Sequence, residues 1–356
     1  MLQYFSVLFV ILCLSLVRVE DKFKRNKLLP LSFAVLTIFL AIRYKYGLDY
    51  GNYEEFFNNP FSRDREFTEF LFWNFFFYFD TYTNFVIAHT VIWCFTFFYF
   101  VRKYIHPSYY WLFFLVMICN NNMMFNFMSA YRSTMATCVC LFATEFFYLR
   151  KTNVIFYVIG ILVASFFHTS SLFMLIIPVA DLLRRKIGFQ TIFGTSVLLL
   201  IGGMLYTQII AGQLIDSIGG KVEEYFGYLE QDKLENATIW FFLLEIIVLI
   251  PILFMAWHYR KIKEEMHHKI LFIAIVWFAI FAVHLDFQGR MSMFMYLFYI
   301  IAVANNRLYK SSGLEQVLVV GCVALYAVIR CYSTFTGLAL QPWLPGNMLF
   351  YQTIFD

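Results

Sequence analysis

The stretch TIWFFLLEIIVLIPILFMAW, residues 238–257, decides the fold class of this 356-residue chain. It contains a single charged residue, Glu245. A helix needs roughly 20 apolar residues to cross a hydrocarbon core of about 30 Å. A transmembrane barrel instead requires alternating segments of about 10 residues. The stretch therefore predicts a membrane-spanning helix.

The composition of the whole chain agrees with this prediction. Hydrophobic residues make up 61% of the chain, charged residues make up 14%, and the mean hydropathy is +0.68. Soluble domains average about 45–50% apolar and about 25% charged residues, so an ordinary soluble domain is excluded. We predict an all-α polytopic membrane protein that forms one integral-membrane domain over residues 1–356.

Similar apolar runs recur along the chain and predict about twelve transmembrane helices. The predicted spans are residues 2–17, 28–42, 83–101, 108–124, 130–149, 153–167, 170–182, 190–210, 238–257, 270–284, 291–305 and 314–331. The run at 67–80 is too short to cross comfortably, because runs of 10–14 apolar residues are more typical of re-entrant or interfacial segments. The two substantial outside loops are predicted at 43–69 and 211–237.

The distribution of basic residues predicts the orientation. If the run at 67–80 enters and leaves on one face, the inside loops hold 18 of the 27 Lys and Arg residues. Cytoplasmic loops carry such an excess, whereas a full crossing at 67–80 would move most basic residues outside. We therefore expect both termini to lie outside. The N-terminus lacks the basic n-region of a signal peptide and is predicted to insert as the first helix.

Several function classes are disfavoured by the sequence. None of the seven cysteines belongs to a zinc-like CxxC pair, so neither a metal site nor a disulfide framework is predicted. No Lys/Arg-rich patch with interleaved aromatic residues is visible, so no nucleic-acid partner is expected. The net charge of +4 reflects the basic bias of cytoplasmic loops.

Ionisable residues at the outer ends of the predicted spans are candidates for chemistry. Such residues are costly at membrane depth and tend to face a cavity or a pathway. The predicted topology brings to one face Arg43, Lys45, Arg132, His168, Asp286 and Arg290. Guanidinium groups bind phosphate oxygens in a bidentate fork, so the basic residues suit a polyanionic head group. Histidine and nearby carboxylates are general-base candidates.

Each of these residues also has a structural interpretation. Arg43 and Lys45 are typical of interface anchors that extend toward the head groups, and His168 suits the cap of a hairpin. Composition and spacing alone fit two functions: an enzyme acting on lipid-linked phosphates, and a transporter.

Four motifs, in order along most of the chain, resemble a known family. Residues 43–53, RYKYGLDYGNY, resemble the R-x(3)-G-x-D-Y-x(2)-Y signature of the EpsG family of Wzy-like polysaccharide polymerases. Residues 131–136, YRSTMA, resemble the family's I-R-Q-x-x-A helix start, with Ser133 in place of Gln. Residues 167–170, FHTS, resemble its F-H-x-S hairpin, and residues 289–290 resemble its late arginine.

The resemblance implies a polymerase with a GT-C-like membrane glycosyltransferase architecture in the bacterial inner membrane. Its active site would face the periplasm or the cell exterior. Its substrate would be an oligosaccharide on undecaprenyl diphosphate, and the growing glycan would pass to a sugar hydroxyl of an incoming repeat unit. The product would be a capsule, an exopolysaccharide or an O-antigen. The expected partners are the lipid bilayer and, as a candidate, a chain-length regulator protein; no cofactor or metal is expected.

The resemblance also implies roles for individual residues. The catalytic residues that would take or orient the acceptor proton are His168 and Asp49. The residues expected to bind the diphosphate are Arg43, Lys45, Arg132 and Arg290. The residues expected to contact the acceptor sugar are Tyr50, Tyr53, Glu69 and Asp286.

Two other functions remain as alternatives. An O-antigen-ligase-like glycosyltransferase would use the same donor, but such enzymes usually carry a larger late periplasmic domain that this sequence lacks. A lipid-linked oligosaccharide flippase would place polar residues near the midplane and show repeated halves. Here the charged residues cluster toward one face, and no internal repeat is visible.

Overall fold

The computed structural model describes residues 2–16, 22–47, 49–60, 69–119, 124–150, 153–184, 198, 246–258, 265–281, 288–340 and 352–353. These residues are mostly helical, which confirms the all-α prediction. The predicted loop 211–237 lies outside the described residues, as does the predicted span 190–210 apart from Leu198. The span predicted at 238–257 is described only from Ile246.

The described helices follow one another with short connections. They are α1 (Leu2–Leu16), α2 (Lys22–Ala41), α3 (Tyr50–Asn58), α4 (Phe70–Phe76), α5 (Tyr82–Tyr104), α6 (Tyr110–Cys119), α7 (Met124–Ser129), α8 (Tyr131–Ala143), α9 (Val154–Ser165), α10 (Ile176–Arg184), α11 (Ile246–His258), α12 (Glu265–Phe281), α13 (Gln288–Val303), α14 (Asn306–Tyr309) and α15 (Gly313–Leu340). A π-helical segment, Thr144–Arg150, continues α8, and 3-10 turns cover Pro107–Tyr109 and Thr169–Leu175.

Two short strands connect distant parts of the chain. The strand β1 (Arg43–Tyr44) pairs antiparallel with β2 (Gln352–Thr353). In this register Arg43 lies opposite Thr353, and Tyr44 lies opposite Gln352. The pairing holds the residues that follow α2 beside the C-terminal end of the chain.

Side-chain caps and charges determine where several helices begin and end. The Thr81 hydroxyl oxygen accepts a hydrogen bond from the Asn84 N–H at 3.2 Å, which satisfies a free donor in the first turn of α5. Asn153 caps α9 in the same way. The last turn of α5 carries Arg102 and Lys103, whose positive charge is favourable at a helix C-terminus.

Contacts between separated segments define two ends of the helical bundle. At one end, called the basic end, Lys269 Nζ donates to the Tyr148 carbonyl at 2.8 Å, and the His106 N–H donates to the Ala304 carbonyl at 3.0 Å. At the opposite end, called the site end, β1 pairs with β2 and α8 begins. Residues in or next to predicted inside loops therefore meet at the basic end.

The short apolar segment around α4 does not cross the bundle. Seven helical residues extend only about 10 Å, far less than a hydrocarbon core. Glu69 before α4 contacts Arg132, and Tyr82 after it donates to the Tyr131 hydroxyl at 3.2 Å. Both ends of the segment therefore lie at the site end, which is the arrangement predicted for a re-entrant or interfacial segment.

Two of the described helices are long and apolar enough to cross a membrane by length and composition. They are Tyr82–Tyr104 and Gly313–Tyr332. Shorter apolar helices of 10–17 residues also occur, and they cover Leu28–Ala41, Pro107–Cys119, Val154–Ser165, Thr169–Val179, Ile246–His258 and Met293–Val303. The number of twelve spans remains a prediction.

Replacing Gly160 by Ala is expected to destabilise the contact between α8 and α9. A Cβ at Gly160 would lie 2.6 Å from the Ala143 Cβ, so the two helices would have to separate. Overpacking of this kind costs about 1–3 kcal/mol. We expect a lower thermal unfolding midpoint in detergent.

Gly321→Ala in α15 is the matched control, because a Cβ there meets nothing within 4 Å. Its midpoint should stay unchanged or rise, since Ala has the higher helix propensity. Equal midpoints for the two variants would contradict the close approach of α8 and α9.

Candidate functional site

The loop between α2 and α3 is shaped by backbone conformations that few residues adopt. Lys45 has φ 50°, and Gly47 has φ 132°. A side chain at Gly47 would be strained at this φ, and its Cβ would lie 3.3 Å from the Ser129 hydroxyl. The loop thereby turns sharply, and α3 begins at Tyr50.

The centre of the site is a buried carboxylate with three donors. Glu69 is fully buried. One of its oxygens, Oε2, accepts from Arg132 Nη1 at 2.6 Å. The other, Oε1, lies 2.6 Å from His168 Nδ1 and accepts from the Thr169 N–H at 3.3 Å. Residues that are 99 and 63 positions from Glu69 in sequence are joined by this one carboxylate.

Opposing effects act on the pKa of Glu69. Burial raises the pKa of this carboxyl, but the hydrogen bond from His168 and the positive charge of Arg132 outweigh burial. The pKa of Glu69 is therefore lowered from its ordinary value, and the group is ionised at neutral pH. An ionised carboxylate only accepts hydrogen bonds, so Nδ1 of His168 must be the donor.

This arrangement leaves the second ring nitrogen of His168 available. When Nδ1 carries the proton of a neutral imidazole, Nε2 has a free lone pair. Nε2 is buried and has no hydrogen-bond partner among the described residues. A histidine oriented by a carboxylate in this way is suited to take a proton from a hydroxyl group.

Arg132 is held from two sides and is partly open to solvent. Its Nε donates to the Tyr53 hydroxyl at 3.1 Å, in addition to the contact with Glu69. About 32% of the Arg132 side chain is exposed. Burial raises the pKa of Tyr53 to about 12, so its hydroxyl stays protonated at neutral pH. Arg132 therefore presents an oriented positive charge beside His168.

Arg43 lies in a different environment from Arg132. It is fully buried, and its Nη1 donates to the Leu40 carbonyl at 2.5 Å and to the Thr90 hydroxyl at 2.9 Å. Its Nη2 donates to the Met128 carbonyl at 3.2 Å and lies 3.5 Å from the Tyr131 hydroxyl. Arg43 thus connects the ends of α2 and α7 with α5 and α8.

An aromatic cluster supports both arginines. The Tyr82 hydroxyl donates to the Tyr50 carbonyl at 3.0 Å, and the rings of Tyr50 and Tyr82 lie 5.0 Å apart, edge to face. The Tyr53 and Tyr131 rings lie 4.9 Å apart in a similar geometry. Edge-to-face pairs at these distances are favourable contacts, so the cluster fixes α3 against α5 and α8.

A comparison with protein-family models identifies the group to which the chain is related. The model of the EpsG family matches residues 26–348, nearly the whole chain. The chain belongs to the EpsG family. EpsG proteins are Wzy-like polysaccharide polymerases, so the resemblance seen in the motifs is confirmed. No characterised protein and no solved structure matched the chain.

Membership of the EpsG family assigns the general function. The chain is a polysaccharide polymerase of the glycosyltransferase-like kind, and together with its apolar helices the family indicates a membrane protein. The family match begins before the loop that carries Arg43 and ends before β2. It therefore includes Glu69, Arg132 and His168.

The remaining predicted site residues of this EpsG chain have varied placements. Lys45 is exposed, with its Nζ 5.1 Å from the centre of the Tyr44 ring. Asp49 is half-buried at the start of α3, and Tyr50 is buried. Asp286 lies outside the described residues.

Arg290 is described by its backbone only. It lies in the first turn of α13, which begins at Gln288. The opposite end of α13 is next to Ala304, which contacts His106 at the basic end. The start of α13 is therefore directed toward the site end, where Arg132 lies.

Several residues of the site were not singled out by sequence reasoning. Thr90 and Tyr82 lie in or at the edge of an apolar run, where nothing in their spacing marks them. The Thr169 N–H was not predicted because backbone donors carry no sequence signal. Within the described residues, no group of three or more His, Cys, Asp or Glu side chains could hold a metal ion.

Proposed function

We propose that this EpsG chain transfers a growing glycan from undecaprenyl diphosphate to a sugar hydroxyl of an incoming lipid-linked repeat unit. The observation that carries the proposal is the unpartnered Nε2 of His168, oriented by Glu69, beside the partly exposed guanidinium of Arg132. A base and a cation held by one carboxylate suit a reaction that removes a proton and releases an anion.

The bond changes follow from this arrangement. The acceptor hydroxyl oxygen attacks the anomeric carbon of the donor sugar, and its proton passes to His168 Nε2. The bond from the anomeric carbon to the diphosphate oxygen breaks, and the electron pair leaves with the diphosphate. Arg132 stabilises the negative charge that develops there, which is often the largest catalytic contribution. Asp49, half-buried at the start of α3, is the alternative base.

The placement of the two arginines supports different roles. Arg132 is partly exposed, whereas Arg43 is fully buried and bonded to two backbone carbonyls. We assign direct contact with the diphosphate to Arg132, together with Arg290 and Lys45 from the same end of the bundle. We assign to Arg43 the positioning of α5, α7 and α8, on which the site depends.

The side of the membrane follows from the charge distribution. We place the site at the outer face of the bacterial inner membrane, because the site end lies opposite the basic end and inside loops are enriched in Lys and Arg. The acceptor sugar would lie between Nε2 of His168 and the loop that carries Asp49. In this arrangement, Glu69 supports the site from beneath rather than contacting the sugar.

The test is polymerisation by the purified, reconstituted protein with a synthetic undecaprenyl-diphosphate repeat unit. The wild type should give a ladder of products, and Arg132→Ala should reduce its rate by roughly 10²–10³-fold, as expected for the loss of a charge-stabilising donor.

The matched control is Arg102→Ala, which removes an exposed arginine at the basic end and should leave the ladder intact. An unchanged rate in Arg132→Ala would overturn the proposed site. Movement of the lipid-linked unit across the bilayer without any ladder would favour a flippase instead.

A further inference from the structure

A cavity at the basic end lies far from His168 and Arg132, between α1, α2 and the start of α6. Its volume is about 250 Å³, and the residues around it include Ser15, Leu29, Ser32, Ser108 and Trp111. A water molecule occupies about 30 Å³ in the liquid, so the cavity has room for a polar group of several heavy atoms. It suits a lipid head group in size, but not whole acyl chains.

The sequence beside the cavity is strongly basic. The helix α2 begins at Lys22, and its first two turns contain Lys22, Lys24, Arg25 and Lys27 and no acidic residue. The next residue, Leu28, lines the cavity. Because a helix rises 1.5 Å per residue, these four positions lie within about 9 Å of Leu28 along the axis. A helix N-terminus is also partially positive, so an anionic ligand is favoured here.

The hydroxyl groups at the cavity indicate what else the ligand carries. Ser15 donates its proton to the Leu12 carbonyl at 2.8 Å, and Ser32 donates its proton to the Leu28 carbonyl at 3.0 Å. With these protons used, both oxygens are left as acceptors. A negatively charged ligand that also brings O–H donors matches them.

The remaining wall of the cavity is typical of a membrane interface. Tyr110 and Trp111 line it, and these residue types concentrate at the level of lipid head groups. Leu16 of α1 and Leu31 of α2 are about half exposed, at 55% and 47%. Apolar surface for acyl chains therefore adjoins a polar cavity for a head group.

We propose that this cavity binds an anionic phospholipid with a hydroxylated head group, of the phosphatidylglycerol class. The phosphate would face the basic start of α2, the glycerol hydroxyls would donate to Ser15 and Ser32, and the chains would lie along α1 and α2. Basic pockets between transmembrane helices are known to bind anionic head groups. The proposal does not depend on the glycan chemistry at the site end.

The test is native mass spectrometry of the full chain in detergent, titrated with phosphatidylglycerol or with phosphatidylcholine of the same acyl chains. We expect at least tenfold tighter binding of phosphatidylglycerol. The combined variant Lys24→Gln, Arg25→Gln and Lys27→Gln should weaken it by roughly tenfold to 100-fold, because each basic residue near anionic lipid contributes roughly fivefold.

A filling variant tests the cavity independently of charge. Ser32→Leu should weaken phosphatidylglycerol binding, whereas Ala34→Leu should not, because Ala34 is exposed on the same helix and lines a separate groove between α2 and α5. A photoactivatable phosphatidylglycerol should label peptides of α1, α2 or α6. Equal binding of the two lipids, wild-type affinity in both the charge and filling variants, or labelling confined to other helices would overturn the proposal.

Discussion

Replacing Glu69 by Gln is expected to lower the polymerisation rate by roughly 10²–10⁴-fold, the range for loss of general acid–base catalysis. The amide offers one acceptor oxygen, whereas the carboxylate accepts from Arg132, His168 and the Thr169 N–H. With its NH₂ toward Arg132, two donors meet. With its NH₂ toward His168, Nδ1 must become the acceptor, so Nε2 gains the proton and loses its basic lone pair.

The matched control is Glu55→Gln, which neutralises an exposed acid on α3 and should leave the ladder unchanged. His168→Ala should cause a loss similar to that of Glu69→Gln. The double variant should be little worse than either single variant, because residues that act as one unit are strongly non-additive. A rate within threefold of the wild type in Glu69→Gln, or additive losses in the double variant, would contradict the coupling of these two side chains.

Arg43→Ala is expected to affect stability more than any other substitution in the site. It leaves the buried carbonyls of Leu40 and Met128 without their guanidinium donor. At roughly 1–3 kcal/mol for each unsatisfied buried group, the free energy of unfolding should fall by about 2–6 kcal/mol. The measurement is the thermal or denaturant unfolding midpoint in detergent, alongside the ladder assay.

Lys45→Ala is the control for Arg43→Ala, since Lys45 is an exposed cation of the same loop and should leave the midpoint unchanged. Arg132→Ala should change the rate strongly and the midpoint only slightly. The opposite pattern, a wild-type midpoint with complete loss of the ladder in Arg43→Ala, would return Arg43 to the group of residues that contact the diphosphate.

The general architecture could be predicted because long apolar runs have few alternatives. The run at 83–101 became α5, and the run at 314–331 lies within α15. The short segment at 67–80 was interpretable because its length and the charge count agreed. The π-helical segment Thr144–Arg150 was not predictable, because apolar periodicity does not distinguish a local widening of the helix.

The site was predictable in its members but not in their connections. Arg132 and His168 were marked by charge in apolar surroundings and by motif, and Glu69 was expected to contact a sugar. Which cation pairs with which carboxylate depends on contacts between residues 63 and 99 positions apart, and sequence spacing does not encode them. Burial of Arg43 was likewise hidden, because a basic residue at a span end is equally typical of an interface anchor.

The pairing of β1 with β2 constrains the path of the whole chain, including segments outside the described residues. Two backbone strands that share hydrogen bonds must lie on the same side of a bilayer. The number of membrane crossings between Tyr44 and Gln352 must therefore be even, whatever their individual boundaries. The ten spans predicted between these residues satisfy this parity, and any revision of the topology has to add or remove crossings in pairs.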